Sequence, residues 1–157
     1  MAAFSCHSNQ PVDMSEYPSQ FGEIPFDPTV DDPGFKLCDS TNLVHSRVSL
    51  SYVGGRKRIE EICKDIFEKH KSRYDYDGYI IVRFLVNCEG KIGRLRFESL
   101  DEGFTKQKSP DGLVELIRES INALNEWTII PPENVGKDHS KYLNFKIKNG
   151  QIDDIIH

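Results

Sequence analysis

The amino-acid sequence predicts an α+β fold, in which two helices pack on one face of a mostly antiparallel sheet of three to four strands. Two observations support this fold class. Apolar residues recur every three or four positions in segments 57–71 and 110–125, as they do along one side of a helix. Apolar and polar residues alternate in 78–86, 94–98 and 142–148, which is typical of half-buried strands. The chain of 157 residues is long enough for one self-sufficient core.

The first segment of the chain differs in composition from the rest. Residues 1–34 contain six acidic residues and no lysine or arginine, together with five of the eight prolines. A segment of low hydrophobicity and like charge buries too little apolar surface to offset its ordering entropy. We therefore predict that residues 1–33 form a disordered, acidic, proline-rich tether and that residues 34–157 form the folded domain.

A leading strand or ribbon is predicted in 35–38 and 47–53, where apolar and polar residues alternate before Gly54-Gly55. The first helix follows, and Ile59, Cys63 and Phe67 lie on its apolar side. The strand that begins at Gly78 breaks at Glu89-Gly90 and resumes at residue 94, so the two strands form an antiparallel hairpin.

The second helix is predicted to start at Ser109-Pro110, with the serine as its cap and the proline at its first position. Its apolar side consists of five residues, Leu113, Leu116, Ile117, Ile121 and Leu124. Trp127 follows directly and is interpreted as a core anchor, since Pro131-Pro132 ends any regular element after it.

The last predicted strand runs through Leu143, Phe145 and Ile147, which alternate with polar residues. Asn149-Gly150 is a strong hairpin signal, and it predicts that segment 151–156 folds back.

The four cysteines lie at positions 6, 38, 63 and 88, without a CxxC pair or a histidine at metal-ligand spacing. We interpret Cys38, Cys63 and Cys88 as ordinary buried thiols, and we expect the fold to require neither a metal nor a disulfide.

The order helix, strand, hairpin, strand, helix, tryptophan, strand resembles the TonB C-terminal domain family over about residues 52–155. The details that carry the resemblance are Tyr52-Val-Gly-Gly before the first helix, Val82 and Phe84 in the strand after Gly78, Asn87-Cys-Glu-Gly at the hairpin, and Ala123-Leu124 followed by Trp127 and Pro131. The sequence departs from the family at Tyr74-Asp75-Tyr76, where Tyr-Pro is usual. A proline-rich rod of alternating charge and a membrane-spanning helix are also missing, so docking is expected rather than transmission of force.

The resemblance implies a non-enzymatic cell-envelope module that binds a peptide of an outer-membrane transporter, such as a TonB-dependent receptor, by adding a strand to a sheet edge. The implied edge strand consists of seven residues, Lys141, Tyr142, Leu143, Asn144, Phe145, Lys146 and Ile147. The alternative is that segment 151–156 already occupies this edge. A structural domain without peptide capture is the alternative function.

Cys6 is a second candidate site, because Ala3-Phe4-Ser5-Cys6 before a polar arm resembles the end of a lipoprotein signal. Lipidation there would anchor the chain to the cell envelope, on the periplasmic side or at the outer membrane. The basic and apolar parts of a complete export signal do not precede it, and no run of about 18 apolar residues occurs. An incidental cysteine is the alternative.

Catalytic, metal and cofactor sites are not predicted. The five histidines are dispersed, and no GxSxG, HExxH or phosphate-binding glycine loop occurs. Asp31-Asp32 and Asp153-Asp154 each supply too few oxygens for calcium and are interpreted as solvated charge. The outward sheet face carries six side chains that suggest a weak single-stranded nucleic-acid site: Arg83, Arg94, Arg96, Tyr142, Lys146 and Lys148. An acidic arm would repel phosphate, so no nucleic-acid partner is expected.

Overall fold

The computed structural model describes residues 24–45, 49–70, 74–130 and 132–156. Its elements in chain order are β1 Leu50–Tyr52, α1 Gly55–Lys69, β2 Gly78–Val86, β3 Ile92–Leu100, α2 Asp111–Asn122, β4 Trp127–Ile129, β5 His139–Lys148 and β6 Gln151–Ile156. A short 3-10 turn, Pro132–Asn134, precedes β5.

The main sheet has four antiparallel strands in the order β3-β2-β5-β6, and β1 and β4 form a separate antiparallel pair. Two helices with two antiparallel sheets confirm the predicted α+β class. The predicted hairpin between β2 and β3 is confirmed by their pairing from Tyr79 with Leu100 to Val86 with Ile92.

The helices cover the sheet face that carries Ile80, Val82 and Phe84 of β2, all fully buried. From α1, Ile59, Cys63 and Phe67 enter this core. From α2, the core receives Leu113, Leu116, Ile117 and Ile121, as the spacing of apolar residues predicts. Each fully buried aliphatic or aromatic side chain contributes about 1.5–3 kcal/mol relative to an exposed one. The core therefore supplies most of the free energy that holds the helices to the sheet.

The start of α2 differs from the prediction. Pro110 is at the N-cap position, and Ser109 makes no capping hydrogen bond. The Ser109 hydroxyl instead pairs with the Ser99 hydroxyl of β3 at 2.8 Å, which ties the loop before the helix to the sheet.

Trp127 is half-buried and packs against the core, as predicted for an anchor. Its ring centroid lies 5.1 Å from that of Tyr52 and 5.8 Å from that of Phe84. Of the predicted leading strand, residues 50–52 are extended and paired, 35–38 form no strand, and 46–48 lie outside the described residues.

The boundary of the folded domain lies further toward the N-terminus than predicted. Ile24 is 4% exposed and Asp31 is 8% exposed, and both lie in the part interpreted as a disordered tether. Residues 24–33 therefore belong to the packed structure, because β3 offers charged partners that the composition of the segment does not reveal. Residues 1–23 lie outside the described residues.

The prediction of three unpaired thiols is wrong for two of them. Cys38 and Cys88 form a disulfide whose Cα atoms are 6.0 Å apart. Cys63 is free and buried, as predicted. Burial raises the pKa of its thiol to about 12, so Cys63 is a packing residue rather than a nucleophile.

Candidate functional site

The strand predicted to be the binding edge lies inside the sheet. β5 pairs with β2 along its length, from Ile147 with Gly78 to His139 with Val86, and residues 144–148 pair with β6 on the other side. The prediction that Lys141 to Ile147 form an open edge is therefore wrong for Asn144 to Ile147, where the alternative of an edge occupied by segment 151–156 is confirmed. The pairing with β6 begins at Asn144 and does not include residues 141–143.

The turn after β5 explains this outcome. Asn149 and Gly150 have φ values of 50° and 68°, the left-handed pair that a two-residue hairpin requires. The chain reverses there, and Gln151–Ile156 forms a strand beside β5. The outer strands of the main sheet are thus β3 and β6.

We call residues 24–45 the N-terminal strap, since they run from β3 past the β2–β3 turn to the start of β5. At β3 the strap is held by two arginines. Arg96 donates two hydrogen bonds of 2.7 Å to the carboxylate of Asp31 and one of 2.8 Å to the carbonyl of Pro25. Arg94 donates a hydrogen bond of 3.0 Å to the carbonyl of Ile24. Side chains of β3 thus bind a segment that the sequence predicts to be free.

The Asp31–Arg96 pair has the geometry of a two-pronged guanidinium–carboxylate contact, with side-chain exposures of 2% and 24%. The hydrogen bond from Arg96 holds the pKa of Asp31 below its usual value, and the same contact raises the pKa of Arg96. The Asp31 carboxylate is therefore ionised even though its side chain is buried.

The C-terminal half of β3 also has local partners. Lys106 forms an isolated β-bridge with Leu100, and the backbone N–H of Gln107 donates to the Ser99 carbonyl at 3.0 Å. The strap and the loop after β3 therefore contact β3 along much of its length.

The other end of the strap is attached at the β2–β3 turn. The disulfide joins Cys38 to Cys88, and the Asn87 side chain donates to the Lys36 carbonyl at 3.0 Å. Asp138 is fully buried, and its two carboxylate oxygens accept the backbone amides of Asp39 at 2.8 Å and Cys88 at 3.0 Å. One carboxylate thus fixes both cysteine-bearing segments.

β6 is the other outer strand, and no strand of the described residues pairs with its outer side. Ile152 and Ile155 point into the core and are 8% and 0% exposed. A register shift opposite Lys146 and Ile147 leaves Asp153 as an extra residue in β6. The Ile155 amide donates to the carboxylate of Asp154, next to it in the chain, at 2.9 Å. Charge and a bulge are devices that limit uncontrolled pairing at a sheet edge.

The acidic pairs interpreted as solvated charge contact basic side chains. Asp153 pairs with Lys146 at 2.6 Å, and Asp154 pairs with Arg56. In the other pair, Asp31 binds Arg96, and Asp32 accepts the Gly34 amide at 2.7 Å. Among the described residues, neither acidic pair belongs to a group of three or more metal-ligating side chains.

The basic sheet face considered for nucleic acid is partly neutralised. Arg96 and Lys146 pair with Asp31 and Asp153, and Lys148 contacts carboxylates of Asp77 and Glu102, both at 3.0 Å.

His139 and Ser49 form a buried pair that sequence reasoning missed, with Nδ1 and Oγ 3.1 Å apart. Both residues are at most 1% exposed, and burial lowers the pKa of His139. A neutral histidine that faces a buried serine is consistent with a packing role, because no substrate reaches these atoms without opening the core.

Two features of the sequence analysis concern attachment to a membrane. Cys6 lies outside the described residues, so the lipidation hypothesis stays a prediction. Among the described helices, none is both long and apolar enough to cross a bilayer.

Sequence reasoning missed the Cys38–Cys88–Asp138 group, because about 50 residues separate each member from the next and no local motif marks it. No protein-family model, no curated protein and no solved structure matches this chain.

Proposed function

We propose that this chain is a non-enzymatic, TonB C-terminal-like cell-envelope module that binds an extended peptide by strand addition along the outer side of β6. The observation that carries the proposal is the position of β6 at the end of the β3-β2-β5-β6 sheet. An outermost strand offers main-chain N–H and C=O groups along its outer side, and a peptide pairs with them independently of most of its side chains. In β6 the bulge at Asp153 interrupts this row, so pairing is expected on either side of the bulge rather than through it.

Addition to β6 is favoured over displacement of β6. Removal of this strand from β5 would expose Ile152 and Ile155 to water. Two buried isoleucines contribute about 3–6 kcal/mol, before the loss of the β5–β6 hydrogen bonds is counted. A peptide that displaced β6 would have to supply the same apolar contacts, whereas a peptide that adds to it leaves the core intact.

The charges of β6 indicate which peptide fits. Asp153 and Asp154 place two carboxylates on the strand, which pair with Lys146 and Arg56, and Ile156 is 42% exposed at its end. Cross-strand pairs of opposite charge and of apolar residues stabilise a sheet by roughly 0.2–1 kcal/mol each. We therefore expect the partner segment to carry an apolar residue opposite Ile156 and a lysine or arginine that shares the aspartates with Lys146 and Arg56.

The disulfide supports placement in the cell envelope. Disulfides form and persist in oxidising compartments such as the bacterial periplasm, and they are rare in the cytosol. Here the disulfide joins Cys38 of the strap to Cys88 of the β2–β3 turn. In this proposal Cys6 is the lipid attachment point, and the residues between Cys6 and the strap set the reach of the domain from the membrane.

The test is a titration of isotope-labelled protein with extended peptides from the plug segments of TonB-dependent receptors, followed by amide chemical shifts. We expect the largest shifts in 151–156. A matched peptide with N-methyl groups on alternate residues keeps the side chains and loses main-chain donors, so it should not bind. The variant Asp153→Lys/Asp154→Lys should weaken the binding of basic peptides, whereas Glu89→Lys, on the distant β2–β3 turn, should not.

Two results would contradict the proposal. Shifts confined to the helices or to the strap would place binding elsewhere. An absence of binding by every peptide would favour a structural domain that does not capture peptides.

A further inference from the structure

Cys38, Cys88 and Asp138 bring three metal-ligating groups together at the end of the sheet. Their ligand atoms, two sulfurs and a carboxylate oxygen, lie within 4.8 Å of one another. Among the described residues, no other group of three or more such side chains has its ligand atoms this close together. Cys38 is exposed, Cys88 is half-buried and Asp138 is fully buried, so the cluster has one side open to solvent.

The Asp138 carboxylate is already oriented toward the sulfurs. Each of its oxygens accepts one backbone amide, from Asp39 and from Cys88. A carboxylate oxygen has two lone pairs, so one lone pair on each oxygen stays available. Hydrogen bonds of this kind hold metal-binding carboxylates in place and are a common feature around protein metal sites.

We propose that, once the disulfide is reduced, Cys38, Cys88 and Asp138 form a zinc site with two thiolates, one carboxylate and a solvent molecule. A dithiol reductant transfers two electrons and two protons to the disulfide, is itself oxidised to a disulfide, and leaves two thiols. Zn²⁺ then binds both sulfurs and the carboxylate, and the two thiol protons pass to solvent. The same residues thus hold the strap covalently in the oxidised protein and through the metal in the reduced protein.

The backbone geometry suits this exchange. Two sulfurs on a tetrahedral Zn²⁺, with Zn–S bonds of about 2.3 Å, lie about 3.8 Å apart. The Cα atoms of Cys38 and Cys88 are 6.0 Å apart, so rotation about the side-chain bonds separates the sulfurs without moving the backbone. Three protein ligands leave the fourth position on the exposed side of Cys38, where water reaches it.

The experiment uses the full chain, reduced anaerobically with a phosphine that is then removed, and titrated with Co²⁺ as a spectroscopic substitute for zinc. We expect thiolate-to-cobalt charge-transfer absorption that saturates at one ion per chain and disappears when Zn²⁺ is added. Cys38→Ser should abolish the band, and Asp138→Asn should weaken binding at least about tenfold. Glu89→Gln, which changes an exposed carboxylate next to Cys88 that is not one of the three ligands, should bind as the wild type does.

Two measurements make the result independent of how well the variants fold. X-ray absorption of the zinc-loaded wild type should show two sulfur ligands, with the remainder oxygen. Zinc should raise the Tm of the reduced protein and leave that of the oxidised protein unchanged, because it binds only the reduced native state. The proposal is overturned if the band is absent, persists in Cys38→Ser or is insensitive to Asp138→Asn, or if the ligand count differs from two sulfurs.

Discussion

Removal of the Cys38–Cys88 disulfide gives the largest effect that a single covalent change in this molecule is expected to produce. The bond closes a loop across a sequence separation of 50 residues. Closure of such a loop restricts the unfolded chain, and the lost entropy corresponds to about 4 kcal/mol of stability at 25 °C. The variant Cys38→Ser/Cys88→Ser should therefore unfold with a free energy about 4 kcal/mol lower than that of the oxidised wild type.

Urea denaturation measures this difference directly. The chain has one tryptophan, Trp127, which packs against Tyr52 and Phe84, so its fluorescence reports the loss of the core. With an m value of about 2 kcal/mol/M, the midpoint should fall by about 2 M. Addition of reductant should lower the wild-type midpoint to that of the variant and leave the variant itself unchanged.

A midpoint that shifts by less than about 0.5 M in the variant would refute this reasoning. The disulfide would then contribute less than about a quarter of the expected free energy. Alkylation before denaturation supplies a second check. If Cys38 and Cys88 both react in the untreated native protein, the disulfide does not form in solution.

Three further predictions follow from packing, charge and backbone conformation. Ile155→Ala should lower the unfolding free energy by about 3 kcal/mol and Ile156→Ala by less than about 0.5, so equal urea midpoints would show that β6 does not pack as described. Asp31→Asn should cost about 1.5–3 kcal/mol at neutral pH. The pKa of Asp31 is held below its usual 3.8, so its stabilisation is fully present above that value and is lost as the pH falls through the lowered pKa; an unchanged difference at low pH would contradict this. Gly78→Ala should cost at least about 2 kcal/mol, because φ is 142° and the new Cβ would lie 2.2 Å from a backbone carbonyl oxygen of β3, whereas Gly103→Ala should have little effect on the thermal midpoint.

The predicted helices and the β2–β3 hairpin were found in the structure because their signals are local. The apolar stripe of α1 is complete within a few turns, and the turn at Asn149-Gly150 needs only its two residues to reverse the chain. The boundaries are less accurate, since Ser109 contacts Ser99 on another element instead of capping α2. Local chemistry specified which partners were possible, and packing selected among them.

The candidate site was predicted less well, because an edge is a property of a whole sheet. The alternation in residues 141–147 correctly indicates a strand, and it carries no information on how many neighbours that strand has. β6 covers it on one side, and this was one of two alternatives that the hairpin signal left open. Peptide addition at β6 is therefore a proposal that depends on the sheet order.

By itself, the sequence determined the two apolar helix faces, the alternating strands and the tight turns, since each depends on residues within one or two turns of chain. Only the tertiary structure decided that β6 is the outer strand, that Asp31 docks on Arg96 and that Cys38 meets Cys88. Asp31 and Arg96 are 65 positions apart in the chain, and Cys38 and Cys88 are 50 apart, while the place of β6 depends on the order of all four strands. Periodicity specifies which side of an element is buried, whereas the partner across a long loop is chosen by the geometry that the assembled core allows.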